Sequence, residues 1–247
     1  MDIPTLCKVT QVADQQQSYE TALKENPLNA PQPSRSGRQK RGVAYHSRLW
    51  APGRTLLIAF AADVPEQTQQ SIFEVACQWL AYANLKFQRT ADWAEAQIRI
   101  EMKPSGTGIN HSLVGTDALL REDSTMTLSD WPGDEQFQRS VLHEFGHALG
   151  LDHEHQHPDA DIQWNLAKLL EYAEQVGMPM EEIAENFLNR IERTQALHNA
   201  YDPGSVMHYP IPATFTLNNV AFTGSAQLSD GDKALAGKAY PFTPVHP

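Results

Sequence analysis

One stretch near the middle of the chain constrains its fold more than any other, because it spaces three histidines at fixed intervals. Residues 141–153 read Val-Leu-His-Glu-Phe-Gly-His-Ala-Leu-Gly-Leu-Asp-His. On a helix, His143 and His147 lie four residues apart, so their imidazoles project from one face about one turn apart. Gly150 can adopt the positive φ that ends a helix and turns the chain back, which lets His153 approach the same point. The spacing therefore predicts a helix that presents three imidazoles to one metal ion.

The ligand type indicates which metal this is and what it can do. Three neutral imidazoles suit zinc and leave a fourth position for water, as in a catalytic zinc site. Zinc lowers the pKa of its bound water to about 7, and Glu144, next to His143, is the candidate general base that takes the proton. A bare His-Glu-x-x-His also occurs by chance on buried helices, but the added Gly150 and His153 favour the metal site. We expect one Zn²⁺ per chain and hydrolysis without a covalent intermediate.

The stretch from His143 to His153 resembles the long zinc signature of the metzincin metallopeptidases. Glu154 follows the third histidine, as in the astacin family, and Ser205-Val-Met-His-Tyr209 resembles that family's Met-turn with its tyrosine. The resemblance spans about residues 42 to 241 and implies an astacin-like zinc endopeptidase.

The resemblance also implies roles that spacing alone does not give. Tyr209 would be a catalytic residue and a possible fifth zinc ligand, which swings away and hydrogen-bonds the transition state. Met207 would form an apolar floor beneath the metal, and Glu154 would have a buried structural role tied through water to the mature amino terminus. Read from the residues alone, Met207 is also consistent with plain core packing, and Tyr209 with a buried aromatic whose hydroxyl is satisfied.

The implied fold is α+β, a metzincin-like zincin fold with a twisted, mostly parallel sheet, an antiparallel edge strand and the zinc helix. A mainly helical or irregular C-terminal subdomain would follow. Residues 55–60 read as a buried strand, and residues 98–100 alternate so that Arg99 faces away from the core. The edge strand, which in metzincins borders the cleft and pairs with extended substrate, is expected within residues 106–116. The zinc helix is predicted over about residues 135–149.

We divide the chain into a leader, residues 1–41, and a peptidase domain, residues 42–247, with subdomains 42–150 and 151–247. The leader is polar and weakly helical to about residue 26, and three prolines in residues 26–33 predict an extended linker. The basic cluster at residues 35–41 is either a solvated loop or a cleavage site before the mature enzyme.

The leader is also a candidate inhibitory propeptide, which would lay the linker through the cleft and put a side chain on the open zinc position. Astacin-like zymogens resemble this scheme, usually with an aspartate as the blocking ligand. Here we favour Cys7, because a thiolate is the better zinc ligand, over Asp14 or Asp2. A tail without a role is the alternative.

Charge and cysteine content limit the partners and the compartment. With 30 acidic against 19 basic residues the net charge is −11, which gives no support to a nucleic-acid partner. No apolar run reaches the 18 residues of a membrane span, and Met1-Asp-Ile-Pro lacks the features of a signal peptide. The resemblance to secreted astacins implies two disulfides, which the two cysteines, Cys7 and Cys77, cannot form. We expect a monomer acting on polypeptides, either cytoplasmic or exported without a cleaved N-terminal signal.

His155 and His157 follow the motif and raise the question of a second metal. Alternating histidines beside a proline are more often a solvated turn, so we expect both to lie outside the ligand set. Two other classes of protein would share the three ligands: a metal-bound but inactive scaffold, and a zinc hydrolase of small non-peptide substrates. Glu144 argues against the first and the Met-turn against the second, and a casein or peptide-library assay separates all three.

Overall fold

A twisted sheet of five strands forms the centre of the structure, a computed structural model that describes residues 12–30, 47–107, 110–191 and 197–242. The strands are β1 (Thr55–Phe60), β2 (Lys86–Arg89), β3 (Ile98–Met102), β4 (His111–Ser112) and β5 (Met126–Leu128). Their order across the sheet is β2-β1-β3-β5-β4.

Strand direction confirms the α+β fold class expected from the sequence. β1 pairs in parallel with β2 and β3, and β3 pairs in parallel with β5. β4 pairs antiparallel with β5, with His111 opposite Thr127 and Ser112 opposite Met126. The terminal strand of the sheet is therefore the antiparallel one, and it lies within the predicted residues 106–116.

The helices of the described part are α1 (Gln15–Glu25), α2 (Glu66–Ala76), α3 (Phe137–Ala148), α4 (Leu166–Val176), α5 (Met180–Ile183) and α6 (Asp230–Ala239). α3 is the predicted zinc helix. α2 continues as a 3-10 turn over Cys77–Ala81, and the pair buries Ile72, Ala76 and Trp79 at helical spacing. None of these helices is long and apolar enough to cross a membrane.

Two hydrophobic cores meet at the segment that follows residue 205. The larger core lies between the sheet and α3, and also receives residues of α6. The smaller core is built mainly from α4, α5 and the chain around Phe215. Met207 belongs to the larger core and Tyr209 to the smaller one, so the predicted Met-turn crosses between the two.

The described part of the leader is packed on the domain. Ser18 and Ala22 of α1 are buried, and Pro27–Asn29 forms a 3-10 turn. The extended linker predicted for residues 26–33 is therefore wrong for residues 26–30, because Asn26 caps this turn by accepting the Leu28 N–H at 3.1 Å.

Of the candidate zinc-blocking residues, the structure describes only Asp14. Asp14 is occupied as the N-cap of α1, where its side chain accepts the Gln17 N–H at 3.0 Å. Cys7, Asp2 and the basic cluster at residues 35–41 lie outside the described residues. Cys77 is a half-buried free thiol, and burial raises its pKa.

Arg99 faces away from the main core as predicted, but it is buried under the chain between β4 and β5. Its Nε donates to the Asp123 carbonyl at 2.7 Å, and one terminal nitrogen donates to the Ala118 carbonyl at 3.2 Å. The guanidinium also donates to the carbonyls of Ala96 and Arg121. One side chain thus satisfies four carbonyls and fastens residues 118–123 to β3.

We expect Arg99→Lys to lower the free energy of unfolding by about 2–4 kcal/mol, because one ammonium cannot serve four carbonyls and leaves buried acceptors unpaired. Urea denaturation followed by tryptophan fluorescence measures the change. Arg89→Lys is the matched control: Arg89 pairs with exposed Glu66 at 2.7 Å, so its loss should be under about 1 kcal/mol. Equal losses for the two variants would contradict this account of Arg99.

Candidate metal centre

The end of α3 turns the chain back as the sequence predicts. Gly150 has a φ of 87°, and the Leu151 N–H donates to the Gly146 carbonyl at 3.0 Å. A Cβ at residue 150 would lie 3.1 Å from the Arg48 carbonyl oxygen, so both the backbone angle and the space favour glycine. The three residues after Gly150 then return His153 toward the helix.

The three predicted histidines meet at one point. His143, His147 and His153 are 3%, 0% and 2% exposed, and their ligand atoms all lie within 4.8 Å of one another. Nε2 of His153 lies 3.2 Å from Nε2 of His143 and 3.1 Å from Nε2 of His147. Elsewhere in the described ranges no histidine, cysteine or carboxylate joins this group.

Main-chain carbonyls decide which ring nitrogens carry protons. Nδ1 of His143 donates to the Val206 carbonyl and Nδ1 of His147 donates to the Leu151 carbonyl, each at 2.8 Å. Burial lowers the pKa of His147 to about 4 and that of His143 and His153 well below the usual range, so the rings are neutral. The Nε2 atoms of His143 and His147 therefore present bare lone pairs to His153.

This arrangement fits a zinc ion. Converging lone pairs in a buried site repel one another unless a cation lies between them. Tetrahedral zinc with Zn–N bonds of 2.0–2.1 Å separates its nitrogen ligands by about 3.3 Å. The observed separations of 3.1 and 3.2 Å are close to that value.

The two predicted catalytic side chains, Glu144 and Tyr209, are both buried. Glu144 follows His143 on α3 and is 1% exposed. The ring of Tyr209 is 1% exposed and stands at 74° to the ring of His153, with 5.5 Å between their centroids. Tyr209 thus packs against the third histidine.

Met207 packs directly against α3. A Cβ built on Gly146 would lie 2.2 Å from its sulfur, so the thioether fills the space that a side chain on Gly146 would take. The Met207 carbonyl accepts the Glu154 N–H at 3.0 Å, and its own N–H donates to Ser205 Oγ at 2.9 Å. These contacts fix the Met-turn against α3, the helix that carries His143 and His147.

Asp232 supports this turn from α6, and the sequence reading missed it. Its Oδ1 accepts the Ser205 hydroxyl at 2.6 Å, and its Oδ2 accepts the N–H of Val206 at 2.9 Å and of Ser229 at 2.8 Å. Val206 is the residue whose carbonyl holds His143. The sequence signal is the capping box that opens α6, but nothing in it reveals that the same carboxylate reaches the Met-turn.

A second group missed by the sequence reading connects the edge strand to α3. Asn110, just before β4, accepts the Ser129 N–H at 2.7 Å and donates to Asp130 Oδ2 at 2.8 Å. The Ser140 hydroxyl of α3 donates to the same Asp130 oxygen at 2.5 Å. Since Ser140 lies one turn before Glu144, this group fixes the edge strand relative to the centre.

Glu154 is largely buried and connects the third histidine to a distant loop. Its Oε1 accepts the Asp202 N–H at 2.7 Å. Burial raises the pKa of Glu154 to about 7. Its side chain borders a cavity that Asp152 and His157 also line. Its predicted link to a mature amino terminus involves residues outside the described ranges and stays a prediction.

His155 and His157 lie outside the three-histidine group, but the solvated turn predicted for them is wrong. Both are buried. Nε2 of His155 donates to the Asn186 carbonyl at 2.7 Å and Nε2 of His157 to the Asn199 carbonyl at 3.0 Å. Distant carbonyls supply their partners, and the local sequence gives no sign of these.

Comparison with known proteins gives one family. The model of the astacin peptidase family matches residues 42–238. Zinc metalloproteinase nas-26 of Caenorhabditis elegans is 41% identical over 71 residues, which is 28% of this chain and only 17% of that protein. The structure of myroilysin is 30% identical, with 79% of this chain and 97% of that chain covered and a TM-score of 0.72. High choriolytic enzyme 1, a hatching enzyme zinc-protease from Oryzias latipes, shares the fold at 20% identity, with 74% and 87% covered and a TM-score of 0.52.

We expect Gly146→Ala to lower both zinc content and thermal stability, because the new methyl group displaces Met207 and with it the turn whose Val206 carbonyl holds His143. Metal content after dialysis and the Tm are the two measurements. Gly237→Ala, within α6, is the control: its Cβ would lie 3.5 Å from the Tyr82 carbonyl oxygen, an ordinary contact. A Gly146→Ala protein with full zinc content and an unchanged Tm would refute the tight packing described for Met207.

Proposed function

The chain belongs to the astacin family of peptidases and is a zinc metalloendopeptidase; we propose that His143, His147 and His153 hold its zinc. The observation that carries this proposal is the meeting of three buried imidazoles, with Nε2 separations of 3.1 and 3.2 Å. As a peptidase it acts on polypeptides.

In this proposal two of the three imidazoles are oriented by main-chain carbonyls. When bound, zinc supplies a Lewis acid that makes water a stronger acid and polarises the scissile carbonyl. Val206 and Leu151 keep the protons of His143 and His147 on Nδ1, so that Nε2 remains a ligand. Any loss of these carbonyl contacts would free the rings to rotate and weaken the ligand set.

Glu144 is the proposed general base. A carboxylate oxygen accepts a proton from the attacking water and later returns it to the leaving amine. Glu144 follows His143 and is buried, which supports this role. Burial keeps bulk solvent away from the carboxylate, so that the reacting water is the one it can take a proton from. The substrate carbonyl is attacked directly, so no acyl-enzyme forms.

Tyr209 is the proposed stabiliser of the transition state. Its hydroxyl donates a hydrogen bond to the oxyanion as the carbonyl becomes tetrahedral. The packing of its ring on His153 supports a position near the metal, and a role as fifth ligand before substrate binds remains part of the proposal.

An extended substrate would bind along β4. Leu113 N–H points to β5, where it donates to the Thr125 carbonyl at 2.9 Å, so the alternation of an antiparallel ladder turns the main-chain groups of Ser112 outward. Those groups can pair with a peptide in the manner of an added strand. Ser112 itself is buried, with β4 packed against β5 and α3.

The division into a leader, residues 1–41, and a peptidase domain remains a proposal, as does inhibition by Cys7. For that reason, activity is best measured both before and after limited trypsin treatment, which targets the basic cluster at residues 35–41.

We expect Glu144→Gln to keep its zinc and to lose activity on casein or a fluorogenic peptide by roughly 100- to 10,000-fold, because the attacking water loses its base. Zinc content is measured on the same sample. Glu135→Gln, which removes an exposed carboxylate just before α3, should leave both unchanged. Near-normal turnover by Glu144→Gln with zinc present would show that another group is the base.

We expect Tyr209→Phe to lower kcat by a larger factor than it raises KM, since a contact made in the transition state affects kcat. Steady-state kinetics on one peptide gives both constants. Tyr172→Phe removes the hydroxyl of another buried tyrosine in the smaller core and should change neither. Kinetics that are the same for Tyr209→Phe and wild type would rule out the proposed role.

A further inference from the structure

The leader segment from residue 14 to residue 30, which we call the docked leader, lies outside the residues that match the family model, 42–238. Nevertheless it is seated in the domain by buried polar contacts. It consists of α1 and the 3-10 turn Pro27–Asn29. Its receiving surface is formed by residues 48–51 and by the 3-10 turn Gly115–Leu120.

The first contact is a buried chain of polar groups. The Ser18 hydroxyl of α1 donates to Asp117, and the other oxygen of Asp117 lies 3.0 Å from Arg48 Nε. All three side chains are buried. Removing Ser18 would leave a buried carboxylate with one donor fewer, which is costly in a site closed to water.

The second contact is made by two buried asparagines. Asn29 accepts the Leu49 N–H at 3.0 Å and donates to the Leu49 carbonyl at 2.8 Å, so one amide satisfies both main-chain groups of Leu49. Asn26 donates to the Trp50 carbonyl at 3.0 Å. A side-chain amide that binds both the N–H and the carbonyl of one residue makes the same two hydrogen bonds as a neighbouring strand would, which requires a defined geometry.

The residues that receive these asparagines lead directly to the end of α3. Trp50 Nε1 donates to the Ala148 carbonyl at 2.8 Å, and the Trp50 N–H donates to the Tyr240 hydroxyl at 3.3 Å. That hydroxyl donates to the Leu149 carbonyl at 2.5 Å. The docked leader therefore holds Leu49 and Trp50, and Trp50 in turn binds the Ala148 carbonyl at the C-terminal end of the zinc helix.

We propose that the docked leader is a lasting part of the peptidase domain, which stays bound without a covalent link when the chain is cut between residues 31 and 46. Its release would leave the main chain of Leu49, the Trp50 carbonyl and Asp117 without their buried partners. It would also expose Ala22, which is fully buried. These buried contacts are what would keep the fragment bound after the covalent link is cut.

The test uses the full-length chain with a recognition site for a specific protease placed after Pro33. The folded protein is cut and then passed through size-exclusion chromatography over a dilution series, with mass spectrometry of the peak. We expect the N-terminal fragment to co-elute with the peptidase domain. Its elution as a separate peptide from the cut wild-type protein would overturn the proposal.

A double variant, Asn26→Ala with Asn29→Ala, checks that the co-elution depends on the described contacts. Before cutting, the variant should elute as wild type does. After cutting, its fragment should separate at protein concentrations at least about tenfold higher than those at which the wild-type fragment separates, since each lost hydrogen bond contributes about 1 kcal/mol. Lys24→Ala, on the exposed side of α1, is the control and should retain the fragment. Retention by the double variant equal to wild type would also overturn the proposal. If the double variant does not fold, Asn26→Ala alone is cut. Release of its fragment at higher concentration than wild type supports the proposal, and retention equal to wild type overturns it.

Discussion

The structure depends on holding three neutral imidazoles with their lone pairs directed at one buried point. Such an arrangement is unfavourable without a cation, so the protein has to fix the rings by other contacts. Two main-chain carbonyls do so for His143 and His147, and they come from different places: Leu151 just beyond the same helix, and Val206 more than sixty residues away. The ligand set is therefore as stable as the packing between α3 and the Met-turn.

That packing explains why so much of the C-terminal part serves the centre. Asp232 uses one carboxylate to cap α6 and to hold the turn that carries Val206 and Met207. Gly146 provides the space into which the Met207 thioether fits. The start of a short final helix and the space left by Gly146 thus support the turn whose Val206 carbonyl holds His143, a proposed zinc ligand.

The leader also supports the C-terminal end of α3, through intermediate residues. The carbonyls of Ala148 and Leu149 are satisfied by Trp50 and Tyr240, and the chain at Trp50 is held in turn by asparagines of the docked leader. The zinc helix is supported at its C-terminal end by groups from three distant parts of the chain. A buried carbonyl without a partner costs about 1–3 kcal/mol, so loss of these contacts would destabilise the end of the helix that carries His147.

The local sequence by itself determined the zinc helix, the turn at Gly150, the three histidines and the position of the antiparallel strand. These follow from helical periodicity, from the freedom of glycine at positive φ, and from a resemblance carried by a few closely spaced residues. Tertiary structure alone decided that Arg99 and His155 are buried, that Asp232 holds the Met-turn and that residues 26–30 dock instead of running extended. In each of these cases the deciding hydrogen-bond partner lies more than twenty residues away for at least one contact, and spacing within one segment carries no information about it.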